Sequence, residues 1–189
     1  MIDHEGREAT EDSVSRYGWV EALEAYCFTA IVGLDADEAV RRLGGDPAAT
    51  ERRTFDECFW TAAGPQWAQI GSVDSGLIVA EHNGWRAEEA VVELSAGARL
   101  ACFFRNVSAV MRFIYAVDRV VLADFDPMLD GRPAAGLPPS ALTGLPFGLF
   151  AAEPDAMTLL ERVTGVRVTR RWLRLPQRAV LLPPLRALV

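Results

Sequence analysis

From Gln66 to Pro127 the chain runs as apolar blocks separated by short polar turns, the pattern of a sheet built from consecutive strands. Gln66 to Val73 and Leu77 to His82 read as two strands joined at Asp74-Ser75-Gly76, a hairpin, and Asn83-Gly84 closes the second, with Gly84 expected at positive φ. Ala98 to Asn106, Val110 to Val117 and Arg119 to Phe125 read as three more. In the middle one, Met111, Phe113, Tyr115 and Val117 share a face and leave Arg112 on the other. The tight turn at Asp118-Arg119 makes its flanking strands antiparallel neighbours. Upstream, Tyr26 to Val32 (YCFTAIV) reads as a buried strand.

Helical spacing appears elsewhere. Trp19, Val20, Leu23 and Tyr26 predict a short helix at about 15–24. After Gly33-Leu34, Asp35 is an N-cap, Asp37 and Glu38 occupy the first turn, Arg41 and Arg42 the last, and Gly44-Gly45 ends the helix. Thr54 to Ala62, Arg86 to Leu94 and Pro154 to Val163 read as further helices, the last followed by Gly165. Residues 46–53 read as a polar loop and 126–150, rich in Pro and Gly, as a long irregular one. The prediction is an α+β fold: an antiparallel sheet of five or six strands with helices packed on one face. Residues 15–173 form the domain, 1–14 a polar, acidic segment expected to be disordered, and 174–189 an Arg/Leu/Pro-rich tail.

Composition narrows the chemistry. The 189 residues are half hydrophobic, enough for one real core, and carry a net charge of −7, which argues against nucleic acid or anionic membrane as partners. The basic residues are all arginine, so no lysine nucleophile or Schiff base exists. Charge is uneven: residues 1–60 hold 14 acidic and 6 basic groups, residues 161–189 hold 1 and 7. Either the two ends neutralise each other or one presents a charged face to a partner. Three cysteines in apolar settings (Cys27, Cys58, Cys102) suggest reduced, buried thiols and a cytoplasmic protein. The acidic start is not a signal peptide, and no apolar run reaches the ~20 residues of a membrane span.

Few motifs carry catalysis. Gly71-Ser72-Val73-Asp74-Ser75-Gly76 lacks the spacing of a nucleophile elbow. The two histidines lie far apart; His82 neighbours Glu81, but strand neighbours point to opposite faces, so no metal site is expected. Gly44-Gly45 ends a helix, so it aims no N–H cluster at a phosphate, and no cofactor is expected. Asp124 and Asp126 share a strand face and, with Glu81 or Arg112, could line a polar groove, although Asp126-Pro127 also reads as a turn start. Trp85, after Asn83-Gly84, either caps the core or stands exposed beside Arg86 as a partner hot spot.

With these segments laid out, the chain resembles an actinobacterial family catalogued only as a domain of unknown function. The likeness rests on Trp19 to Gly44 (W-x6-Y-C-F-T-x3-G-L-D-x-D-E-x2-R-R-L-G) and Glu81-x-Asn83-Gly84-Trp85. It continues through Leu94-Ser95-x-Gly97, Arg105-Asn106-Val107-x-Ala109, Arg112-Phe113-x-Tyr115 and Phe125-x-Pro127. It closes with Leu160-x3-Thr164-Gly165-Val166 and Trp172-Leu173, so it spans roughly residues 17–173. One departure is Arg119, where similar sequences tend to carry glycine; it puts a type I′ turn in doubt, because that turn needs positive φ at both central residues. The resemblance implies a fold and transfers no reaction.

Three functions remain from the residues. The first is a non-enzymatic cytoplasmic protein-binding module, an immunity-type or regulatory partner, with Glu81, Asn83, Trp85, Arg105, Asn106, Arg112, Asp124 and Asp126 as candidate contacts. The second is a small-ligand binder or enzyme using a polar groove around Glu81, Arg112, Asp124 and Asp126. The third is a homo-oligomer assembled through the C-terminal tail.

Overall fold

The computed structural model describes residues 12–61, 64–73, 75–133 and 135–183. Its centre is one antiparallel sheet of eight strands: β1 (Tyr26–Val32), β2 (Thr50–Arg53), β3 (Gln66–Val73), β4 (Gly76–His82), β5 (Arg99–Arg105), β6 (Met111–Val117), β7 (Val120–Phe125) and β8 (Gln177–Leu182). Their spatial order is β2-β8-β3-β4-β1-β5-β6-β7. The strands expected between Tyr26 and Phe125 are all present, and two more raise the number above five or six.

Both extra strands come from segments whose sequence reads as something else. Thr50–Arg53 (TERR) is polar because it is an edge, where charge discourages further pairing. Gln177–Leu182, in the segment set apart as a tail, inserts between β2 and β3, pairing Gln69 with Ala179 and Thr50 with Val180. The domain therefore continues to at least Leu182, where Pro183 ends the strand. Residues 1–11 and 184–189 lie outside the described residues, so the disorder expected of 1–14 concerns mostly residues beyond them; residues 12–17 are helical.

Helices cover both faces, not one. Alternation along β1 sends Tyr26, Phe28 and Ala30 to one side and Cys27 and Ile31 to the other. The first side packs under α4, written with its neighbours as α1 (Ala36–Arg42), α2 (Arg86–Glu89), α3 (Val91–Leu94), α4 (Ala152–Thr164) and α5 (Arg170–Arg174). Met157, Leu160 and Val163 of α4 meet Phe28, Phe103 and Phe113 there, with Tyr17 and Val20 of the N-terminal segment. The second side packs under Val40 of α1, Leu43 that caps it, and Ala87, Val91 and Leu94 of α2 and α3. The reason is count: eight strands with apolar residues on both sides need two covering layers.

Local signals in α1 act as expected. Asp35 Oδ1 accepts from Glu38 N at 2.9 Å, and Gly44 takes φ +85° after the last turn. Arg42 reaches across to the carbonyls of Ala96 (2.7 Å) and Glu93 (3.1 Å), tying α1 to the end of α3. Two expected helices shrink: 54–62 becomes a 3-10 turn at Asp56–Cys58, and 86–94 splits into α2 and α3 at Ala90. The 126–150 loop is irregular yet packed, with Leu142, Leu145 and Phe147 buried. At Gly136 its backbone passes so close to the Leu122 carbonyl on edge strand β7 that a Cβ would lie 1.7 Å away.

Candidate functional site

The turn after β4 organises one end of the sheet. Glu81 is fully buried, and its carboxylate accepts from Arg86 N (2.8 Å), Ala87 N (2.7 Å) and Gln66 Nε2 (2.7 Å). It caps the first N–H groups of α2 from five residues upstream, a role the local sequence leaves unfilled because Trp85 supplies no side-chain cap. Burial pushes its carboxyl up to about 7, against the pull of those three donors. Asn83, not Gly84, takes the left-handed conformation (φ 60°), as asparagine tolerates. Gly84 is needed for room instead: a Cβ there would lie 2.8 Å from Gln66 Nε2 and 2.9 Å from Glu81 Oε2.

Each group in this turn braces a residue of one cavity. Asn83 Nδ2 donates to the Trp60 carbonyl at 2.9 Å, and the Trp85 ring meets the Trp60 ring edge-on at 5.1 Å. Glu81 fixes Gln66, and Arg86 Nη2 donates to the Pro183 carbonyl at 2.7 Å. Trp60, Gln66 and Pro183 are walls of a cavity of about 700 Å³, completed by Gly44–Asp46, Ala49, Gly64, Pro65, Leu181 and Leu182. Trp85 itself is half-buried, held between Trp60 and Phe104, with Nε1 donating to Glu89 at 3.2 Å. It neither sinks into the core nor stands free.

The cavity is mainly apolar, within the size range of ligand pockets, and among the described residues Asp46 is the one carboxylate on its lining. Gly45 lets the α1 loop close onto β8, since a Cβ would fall 2.5 Å from Val180 Cγ2. Exposed Leu181 carries the apolar surface onto the rim.

The polar groove is not assembled. Glu81 lies under α2, while Arg112 and Asp124 are three and four strands away, roughly 14 Å or more at the usual strand spacing. Arg112 forks onto Asp124 (Nε to Oδ1 2.8 Å, Nη2 to Oδ2 2.7 Å) and also pairs with Glu88, and these carboxylates raise its pKa. Asp126 Oδ1 accepts from Met128 N (2.8 Å) and Leu129 N (3.0 Å), closing a turn. Arg105 sits on the opposite side, 3.2 Å from Glu153 and bonded to the Leu23 and Glu24 carbonyls, and Asn106 Oδ1 accepts from Ser108 N and Val110 N. Of the eight candidates, Glu81, Asn83 and Trp85 converge on the cavity as supports. The other five are spent on local pairs and turns.

Other reactive groups are similarly engaged. His82 stacks on Phe55 at 4.3 Å with Nδ1 3.2 Å from the Phe55 carbonyl, and burial pushes its pKa down. Cys27 lies 3.4 Å from Cys102; that contact and burial push its thiol up, while burial is the main cause that takes Cys58 up to about 12. Among the described residues no cluster of three or more His, Cys, Asp or Glu is arranged to hold a metal, and no helix is long and apolar enough to cross a membrane.

Sequence reasoning missed the cavity walls. Gly44-Gly45 reads only as a helix end, Trp60 falls in a segment expected to be helical, and Leu181–Pro183 lie in the supposed tail. The available signal was the pair of aromatics Phe59-Trp60 next to Gly64-Pro65, which no helix could carry past the proline.

No curated protein and no solved structure matches this chain. Residues 10–144, well over half of it, match the model of a family described as a family of unknown function, DUF6461, and the chain belongs to that family.

Proposed function

We propose that this protein is a non-enzymatic binding domain that takes an apolar group of a protein partner into the cavity beside Trp60. The observation that carries the reading is the bracing: four polar or aromatic residues of one turn (Glu81, Asn83, Trp85, Arg86) each hold a cavity wall in position. Preorganised walls lower the ordering cost of binding. An apolar rim that continues over exposed Leu181 suits a side chain carried on a larger surface. Asp46 favours a partner group with a hydrogen-bond donor or positive charge beside its apolar part. A regulatory or immunity-type role is one form of such recognition, and the buried thiols support a reducing, cytoplasmic setting.

Filling the cavity tests this. Ala49 is exposed on the rim, so Ala49→Trp can enter the space without disturbing the core. The uncharged dye Nile red should bind the wild type saturably at one site. Ala49→Trp should weaken it by about tenfold or more, with the circular dichroism spectrum unchanged. Equal binding by the two proteins would remove the cavity as the site.

A further inference from the structure

The described arginines of the C-terminal region divide into two groups. Arg162 donates to the Ala141 (3.0 Å) and Thr143 (2.6 Å) carbonyls, and Arg178 pairs with Asp37 at 2.5 Å and donates to the Pro47 carbonyl. Arg167, Arg170, Arg171 and Arg174 are all exposed, and among the described residues none makes an ion pair or side-chain hydrogen bond. Among the described residues the acidic N-terminal third therefore pairs with this region's arginines only through Asp37. Four unspent guanidinium groups within eight residues are a local reversal of sign on a chain of net charge −7.

Two of them border a cleft. Arg170 and Arg174 stand one helical turn apart on α5, so their side chains share a side. They form one rim of a depression of about 240 Å³ whose floor includes Trp19, Leu23, Phe55 and Leu173. Asp56 lies on the lining as well, 4.0 Å from His82 Nδ1. The floor residues belong to the core layer under α4, the face of the sheet opposite to Leu182 and the Trp60 cavity.

We propose that this cleft docks a short acidic protein segment carrying an aliphatic side chain between its carboxylates. Planar guanidinium groups bind carboxylates in two-point fashion, which gives the rim its selectivity. The apolar floor takes the intervening side chain as an anchor. A long polyanion is disfavoured, because beyond about 8–10 Å of screened range it meets a chain of net negative charge. The cleft is separate from the Trp60 cavity, and its occupation does not require that the cavity be filled.

The probe is a fluorescein-labelled peptide with two glutamates on each side of a Leu-Leu pair, followed by fluorescence anisotropy against the full chain at low salt. Saturable binding is expected. It should weaken by about tenfold or more in Arg170→Glu/Arg174→Glu, and comparably when Leu-Leu becomes Ala-Ala. Arg119→Glu, a charge reversal on the β6–β7 hairpin, should leave affinity within about twofold because it lies outside the cleft. No saturable binding, an equal loss in Arg119→Glu, indifference to the Leu-Leu pair, or tighter binding of a six-residue oligothymidylate would each overturn the proposal.

Discussion

At the scale of residues, the buried carboxylate of Glu81 is the group whose environment departs furthest from its sequence context. Its oxygens receive three N–H donors, yet full burial still pushes it from an ordinary value of 4.5 up to about 7. The consequence is a pH dependence of stability. Below 4.5 the carboxyl is protonated whether folded or unfolded. Between 4.5 and about 7 the folded state holds a proton that the unfolded chain has released, so stability falls as pH rises through this window, by about 3 kcal/mol in total. Glu153 and Asp155, also pushed up by burial, slope the same way, and His82, pushed down, slopes oppositely. Glu81→Gln isolates the one contribution, because its side chain cannot ionise. Urea midpoints from pH 5 to 8 should fall more steeply for the wild type than for the variant; parallel curves would mean that Glu81 is ionised throughout.

At the scale of elements, the hairpin between β6 and β7 shows tertiary contacts overriding local preference. Asp118 and Arg119 both take positive φ (45° and 69°), as a two-residue type I′ turn requires, although arginine disfavours it. Anchors explain the tolerance: Asp118 N donates to the Ala98 carbonyl (2.9 Å), Gly97 N donates to Asp118 Oδ1 (3.0 Å), and Arg119 N donates to Ser95 Oγ (3.1 Å). Removing the strain should stabilise the fold. Arg119→Gly should gain up to about 1 kcal/mol, the left-handed cost of a non-glycine residue less the greater unfolded entropy of glycine. Chemical denaturation reads this directly, and a lower midpoint would mean that the Arg119 side chain contributes more than its backbone costs. The same contrast marks what the sequence made legible. β1 and α1 were readable because YCFTAIV, Asp35 and Gly44-Gly45 all favour the same local outcome. β2 and β8 were not, because TERR is polar and QRAVLL sits among arginines and prolines, and only tertiary pairing, β8 with β3 and β2 with β8, makes either a strand. The candidate site was half legible for the same reason: its supports fall in one short turn, while its walls come from three distant segments.

At the scale of the whole molecule, the order of strands decides what can fold alone. The family match covers residues 10–144, but α4 and β8 lie beyond it in sequence and inside the fold in space. Residues 151–160 are all buried, and α4 is the main helical cover over Phe28, Phe103 and Phe113. β8 separates β2 from β3, so without it β2 has no partner and β3 loses its register of five residue pairs from Gln66 to Ile70. It also carries Leu181 and Leu182 to the cavity. A chain ending at residue 144 would expose one apolar face of the sheet, a loss of tens of kilocalories per mole by area at about 25 cal/mol per Å², well beyond the 5–15 kcal/mol margin of a typical domain. Such a chain should show no cooperative thermal transition and should bind hydrophobic dye nonspecifically, whereas one ending at residue 183 should unfold in a single step. Calorimetry of the two separates the alternatives. A cooperative transition from the shorter chain would mean that the α4 layer and β8 are additions to an already stable unit, and the bracing of the cavity by Arg86 and Pro183 would then be an addition too.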